Sequence, residues 1–215
     1  MKSATMWVAQ GTAAAAGTCA DQRDAPARVQ RRRLLGAALA LGSGMAGPAW
    51  SRTEPPLGWA RPPAPPVPWK LTAASGAEVA LPQLLTGRLT AVQLMFTGCT
   101  TSCSAQGLLF ATMAARRRAQ PVGWLSISID VLSDEPARLR SWQRRFGEQP
   151  PAPWQAAVPA MRDVDAISAF LRGTPARSGT HTNQVFVFDR QGRLAYRTGD
   201  DPTPDFLEQL LQAMA

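Results

Sequence analysis

The 215-residue sequence is poor in the residues that build metal and acid–base sites. It has one histidine, His181, and three cysteines, Cys19, Cys99 and Cys103. A structural zinc site takes four ligands, mostly cysteine and histidine, and this supply is too thin for one once the leader described below is set aside. Lysine is almost absent (Lys2 and Lys70), so the positive charge is nearly all arginine. Charged residues make up only 18% against 45% hydrophobic residues, which excludes a disordered polyelectrolyte. No glycine-rich phosphate loop and no Gly-x-Ser-x-Gly elbow occurs. A run of about 20 strongly apolar residues is also missing, which argues against a permanent membrane span.

The net charge of +8 is unevenly spread. Residues 1–51 carry six basic and two acidic residues, so half of the excess lies there. The rest is mildly basic. Its arginine clusters, Arg116–Arg118, Arg138/Arg140 and Arg144–Arg145, read as solvated helix faces. No aromatic-rich or helix-turn-helix pattern accompanies them, so no nucleic-acid partner is expected. Arg31-Arg32-Arg33-Leu34-Leu35 leads into a mild apolar stretch, Leu34 to Ala49, and then Ala49-Trp50-Ser51. A basic segment, an apolar segment and small residues make an export signal. The paired arginines resemble a twin-arginine signal. Residues 1–51 are therefore expected to be a cleaved leader that sends the protein to the oxidising periplasm. Left uncleaved, the same stretch would anchor the protein to the outer face of the inner membrane. Cleavage removes Cys19 and leaves Cys99, Cys103 and His181.

Prolines crowd residues 52–70, which read as an extended linker or strap that Trp59 and Trp69 dock onto the domain. From 71 to 215 the pattern is that of one domain. Leu71-Thr72 and Glu78–Leu81 flank a Ser75-Gly76 turn and read as a hairpin. Ala91–Phe96 and Val122–Ile129 are apolar runs of buried-strand length. Ser104–Arg118 has helical spacing with arginines at its end, where the helix dipole favours cations. Asp134-Glu135-Pro136 opens a helix to about Phe146, and Asp163–Leu171 is a short helix. Gln184–Phe188 and Leu194–Thr198 form a hairpin about Asp189–Gly192, and Pro202–Met214 is a closing amphipathic helix. Two β-α-β steps require parallel strands, and the final hairpin adds antiparallel ones. The expected fold is α/β: a thioredoxin-like mixed sheet flanked by helices. Trp124, Trp142, Trp154, Met95 and Met113 read as core residues, and Met161 as a possible soft ligand.

Cys99-Thr100-Thr101-Ser102-Cys103 falls at a strand-to-helix junction. The i, i+4 spacing brings both sulfurs to one side of a helical turn, and a helix N-terminus favours thiolate. Thiolate is both a soft metal ligand and the nucleophile of disulfide exchange, so a disulfide or a metal held by both sulfurs is open. Two thiolates and one imidazole suit copper, Cu(I) above all. His181 precedes the third strand of the series, and in this topology that loop lies beside the cysteine-bearing helix end.

Phe96-Thr97-Gly98-Cys99-x3-Cys103, Ser128-Ile129-Asp130 with Asp134-Glu135-Pro136, and His181-Thr182-Asn183 before Val185–Asp189 together resemble the Sco/SenC family from about residue 66 to 215. The resemblance implies a thioredoxin-like fold on the outer side of a membrane. It also implies a bound copper ion, Cu(I) or Cu(II), delivered to a copper-accepting membrane or periplasmic protein such as cytochrome c oxidase. The family's metal-binding residues fall on Cys99, Cys103 and His181, and a carboxylate that tunes the metal site falls on Asp130. The family usually has proline directly after each cysteine, where this chain has Thr100 and Ser104. That change frees main-chain N–H groups and lets Thr101 or Ser104 cap the helix. The leading expectation is a monomeric periplasmic copper chaperone. A thiol–disulfide oxidoreductase using Cys99 to attack and Cys103 to resolve is the alternative. An interaction module with a structural disulfide is a third reading.

Overall fold

The computed structural model describes residues 57–117, 119, 122–147, 154–174 and 182–215. Residues 1–51, expected to be a cleaved leader, and His181 lie outside the described residues. One eight-stranded mixed sheet organises the domain, in the order β1-β8-β7-β4-β5-β6-β2-β3. Its strands are β1 (Gly58–Ala64), β2 (Lys70–Ala73), β3 (Glu78–Ala80), β4 (Leu89–Met95), β5 (Val122–Ser128), β6 (Trp154–Pro159), β7 (Phe186–Phe188) and β8 (Leu194–Arg197). The helices are α1 (Leu81–Leu85), α2 (Ser102–Arg116), α3 (Pro136–Arg144), α4 (Val164–Arg172) and α5 (Pro204–Ala213).

Every residue of β4 and β5 is buried, and the two run parallel with Met95 opposite Ser128. Strands covered on both faces read as unbroken apolar runs, which is why these two were plain in the sequence. Alternate residues point to opposite faces. Ala91, Met95 and Trp124 pack on one face with Phe110, Leu139, Trp142, Leu207 and Leu211, side chains from α2, α3 and α5. Val92, Leu94, Leu125 and Ile127 pack on the other with Leu81, Leu85, Ile167 and Leu171 from α1 and α4. The thioredoxin-like plan of a mixed sheet with helices on both faces is therefore present. Trp124, Trp142, Trp154, Met95 and Met113 are all core residues, as expected, whereas Met161 is exposed.

Three features differ from the sequence reading. Over Gly58–Ala64 the proline-rich stretch is a strand, paired antiparallel with β8 at the sheet edge, rather than a free linker. Proline cannot donate to a ladder, and only an edge strand tolerates Pro62 and Pro63. Trp59 meets Tyr196 edge-on at 5.3 Å and Trp69 meets Phe170 at 5.6 Å, so both tryptophans do fasten this segment. The second difference is β6, which the sequence reading did not assign. Its Trp-Gln-Ala-Ala-Val-Pro has weak strand propensity, and burial between β5 and β2 decides its conformation. The third is Arg117, expected on a solvated face. Its side chain is only 3% exposed and pairs with Glu208 Oε1 at 3.3 Å.

The aromatic core on the α3 face centres on Trp142, which is fully buried and packs on Phe146 (5.0 Å) and Trp154 (5.6 Å). Replacing Trp142 with alanine is expected to remove about 3–5 kcal/mol of stability. Urea unfolding followed by circular dichroism checks this, and a loss below about 1 kcal/mol would contradict the packing described.

Candidate functional site

The cysteines begin where β4 ends. In parallel sheets the carboxyl ends of the strands open onto loops that are free to carry chemistry. After Met95 the chain turns through Phe96-Thr97-Gly98, with the Cys99 N–H donating to the Phe96 carbonyl at 3.2 Å, and enters α2 at Ser102. Cys99 is 8% exposed and Cys103 fully buried, and both are free thiols.

The first turn of a helix leaves main-chain N–H groups in need of acceptors. Thr101 stands at the N-cap, but its hydroxyl accepts none of them, contrary to the capping role expected of Thr101 or Ser104. Its main-chain carbonyl takes the N–H groups of Ser104 and Ala105, each at 3.1 Å. The Cys103 N–H donates instead to the Cys99 sulfur at 3.4 Å. The Ser102 hydroxyl lies 3.5 Å from the same sulfur and the Thr101 hydroxyl 3.9 Å from it.

This arrangement divides the two thiols. Burial pushes the Cys99 thiol up, but hydrogen bonds from the Ser102 hydroxyl, the Cys103 N–H and thiol, and the Thr101 main chain outweigh it and bring Cys99 down from 9.0 to about 6. Burial pushes Cys103 the other way, up to about 12. A main-chain hydrogen bond from Phe96 opposes that rise, while the hydrogen bond and negative charge of Cys99 add to it. At neutral pH the pair therefore holds one thiolate, on Cys99, and one thiol, on Cys103.

Asp130 lies at the end of β5, beside the end of β4, where the Ile129 N–H donates to the Met95 carbonyl at 2.9 Å. Its carboxylate is engaged in its own turn, with Oδ1 accepting the Ser133 N–H at 3.3 Å. Asp134, read from the sequence only as part of a helix start, is a buried carboxylate at this same edge. It accepts hydrogen bonds from the Thr97 N–H (2.9 Å), the Thr97 hydroxyl (2.5 Å) and the Ser128 hydroxyl (2.6 Å). In the sequence, its place two residues before a helix-starting proline was the one available hint.

The segment following His181 is pinned. Asp200 Oδ1 accepts from the Thr182 hydroxyl (3.1 Å) and the Asn183 N–H (2.6 Å), and Gln184 Nε2 donates to the Thr198 carbonyl at 2.9 Å. β7 runs antiparallel to β4 with Phe186 opposite Val92, so residues preceding β7 run toward the end of β4 from which the cysteine loop leaves. Among the described residues no group of three or more His, Cys, Asp or Glu side chains is placed to hold a metal ion. The two cysteines stand together, and His181 lies outside those residues.

Residues 62–215 match the SCO1/SenC family. The chain belongs to the SCO1/SenC family. Solved structures with the same fold include a SCO1/SenC lipoprotein of Bacillus anthracis, 21% identical, with a TM-score of 0.58 over 69% of this chain and 95% of that one. BsSco, a member of the Sco family of cytochrome c oxidase assembly proteins in which a disulfide switch has been identified, is 15% identical (TM-score 0.60, 71% of this chain and 94% of that one). Yeast Sco1, solved with copper bound, is 17% identical (TM-score 0.55, 70% and 88%). No curated protein matches the sequence. Among the described residues of this SCO1/SenC chain, no helix is long and apolar enough to cross a membrane.

Reduced protein is expected to show a thiolate absorbance step at 240 nm with a midpoint near pH 6, and no second step before about pH 10. Ser102→Ala removes a hydrogen bond to the charged sulfur and should raise the first midpoint by about one unit. A single step near pH 9 for both thiols would refute the asymmetry.

Proposed function

We propose that this SCO1/SenC protein is an exported copper-binding chaperone. Copper is its cargo, held by the thiolates of Cys99 and Cys103 and a neutral ring nitrogen of His181, and passed to a copper-accepting respiratory enzyme of the cytochrome c oxidase type. The observation that carries this reading is the placement of two sulfurs on one turn at the start of α2, one of them already favouring thiolate. Solved relatives with copper bound support it. Two thiolates are soft donors suited to Cu(I), and binding displaces the proton that burial keeps on Cys103. Thr182–Gln184 are held by Asp200 and Thr198 just ahead of β7, the strand that pairs with β4, and we read His181, which precedes them in sequence, as the third ligand. Asp130, two residues past the end of β5, is the carboxylate we assign to tuning the ligands. Residues 1–51, with Arg31–Arg33 ahead of an apolar stretch, supply the export signal to the periplasm.

The asymmetry of the thiols favours a second reading, thiol–disulfide exchange. The Cys99 thiolate attacks a client disulfide and forms a mixed disulfide, and the client's other sulfur leaves as a thiolate. Cys103 loses its proton, attacks Cys99 and releases the second client thiolate, so the client gains two electrons and the pair becomes a disulfide. The two readings share the requirement that both thiols start reduced.

Titration of the reduced mature protein with Cu(I) against a chromophoric chelator should show one site per chain. Cys99→Ser or Cys103→Ser should abolish it, and His181→Ala should weaken it at least tenfold. No binding, or no effect of the histidine change, would sink the copper reading. For the exchange reading, Cys103→Ser should accumulate a mixed disulfide through Cys99 with periplasmic protein. Its absence, while Cys99 still reacts with iodoacetamide, would count against exchange.

A further inference from the structure

Thr97, two positions before Cys99, ties the cysteine loop to its surroundings by hydrogen bonds. Its N–H and its hydroxyl both donate to the Asp134 carboxylate, at 2.9 and 2.5 Å. Its carbonyl accepts from Arg145 Nη1 at 3.5 Å, from the end of α3. The same Asp134 oxygen that takes the Thr97 N–H takes the Ser128 hydroxyl at 2.6 Å, at the end of β5. The Asp134 N–H in turn donates to the Asp130 carbonyl at 2.8 Å, which fixes its own main chain. A carboxylate only 5% exposed is costly to bury unless its lone pairs are taken. Here three donors from two different segments take them. The carboxylate therefore links the ends of two neighbouring parallel strands to the start of the reactive loop.

We propose that Asp134 is a positioning residue for the cysteine pair: by clamping Thr97 to the end of β5 it sets where the Cys99 sulfur meets the first turn of α2. It touches neither sulfur in any hydrogen bond and acts through Thr97. The fit at Cys99 needs such a clamp. The sulfur must sit 3.4 Å from the Cys103 N–H and 3.5 Å from the Ser102 hydroxyl at once. Gly98, between Thr97 and Cys99, is exposed and has no side chain with which to hold it there. This inference deepens the proposed function, since a preset pair of sulfurs is what both metal capture and exchange use. It does not depend on which of the two the protein performs.

The role is geometric, so the conservative change should preserve it. In Asp134→Asn the amide oxygen can keep the Thr97 N–H and the Ser128 hydroxyl, while the amide nitrogen donates to a rotated Thr97 hydroxyl. Asp134→Ala loses all three bonds. The metal-free readout is the ratio of iodoacetamide labelling at Cys99 to that at Cys103 in reduced protein at pH 7, resolved by peptide mass spectrometry. Asp134→Ala should lower that ratio at least fivefold, with the circular dichroism spectrum retained, and Asp134→Asn should stay within twofold of the parent. If Asp134→Ala does not fold, Thr97→Val and Ser128→Ala each remove one arm, and each should lower the ratio at least twofold. A folded Asp134→Ala with an unchanged ratio would overturn the proposal. So would an Asp134→Asn that falls as far as alanine, since charge and not position would then be at work. Unchanged ratios in both single-arm variants would overturn it as well. Cu(I) affinity, measured on the same proteins, should fall at least tenfold in Asp134→Ala and recover in Asp134→Asn. A parent that binds no Cu(I) would sink the copper reading alone, because the labelling ratio needs no metal.

Discussion

The start of α2 needs acceptors for its first main-chain N–H groups, and a sulfur supplies one of them. No side-chain oxygen caps this helix. The Cys103 N–H points at Cys99 Sγ instead. That one contact places the first sulfur on the axis side of the helix, where the dipole and the hydrogen bond both favour negative charge. It also ties the state of each sulfur to the other. Cys103 lies fully buried one turn on, next to a charge it cannot share, so it keeps its proton. A pair in this condition holds one charge where two could be formed. A soft cation, or a new sulfur–sulfur bond, is what relieves it. The fold needs a cap there, and the cap it uses is reactive.

The sheet determines where this cap can stand. β4 and β5 end in register, Met95 opposite Ser128, and both continue into loops on the same edge. A polar belt runs through the core behind that edge. Gln93 Nε2 and Trp154 Nε1 both donate to the Ser126 hydroxyl, at 2.8 and 3.0 Å, and join β4, β5 and β6 by side chains as well as by their ladders. One step further toward the loops, Ser128 and Thr97 meet on Asp134. Polar groups at such depth persist when they are partnered, and a partnered network holds its members in one geometry. Side-chain hydrogen bonds thus extend from the central strands out to the residue before Gly98.

Much of this was legible in the sequence and some was not, for physical reasons. β4, β5 and α2 were plain because buried parallel strands give unbroken apolar runs and a packed helix gives a 3.6-residue period. The cysteines could be placed at the strand-to-helix junction because both neighbours were clear. β6 was hidden because Trp154–Pro159 takes its strand form from neighbours on both sides and not from its own residues. β1 was hidden because proline normally forbids a ladder, and only knowing that it lies at the sheet edge lifts the objection. Arg117 shows the same limit from the other side. Three arginines in a row read as solvated, but the middle one turns inward to Glu208 on α5, which no local pattern announces. Asp134 was read by its local role, ahead of Pro136, while its side chain serves Thr97, 37 residues away in sequence.

The departures from the family's usual prolines bear on how the loop is held. A proline fixes its own backbone and has no N–H to give. At position 104 this chain has serine, and the Ser104 N–H donates to the Thr101 carbonyl at 3.1 Å, a bond that proline could not make. Position 100 is an exposed threonine, which leaves the segment between the cysteines without a ring to limit it. The conformational freedom that a proline ring would have removed has to be removed by other bonds if the sulfurs are to keep one arrangement. Those bonds are on hand: the carbonyl of Thr101 inside the loop, and Asp134 and Arg145 on Thr97 outside it. The loop of this chain therefore takes its order from hydrogen bonds to its surroundings, and the residues that make those bonds are part of the site.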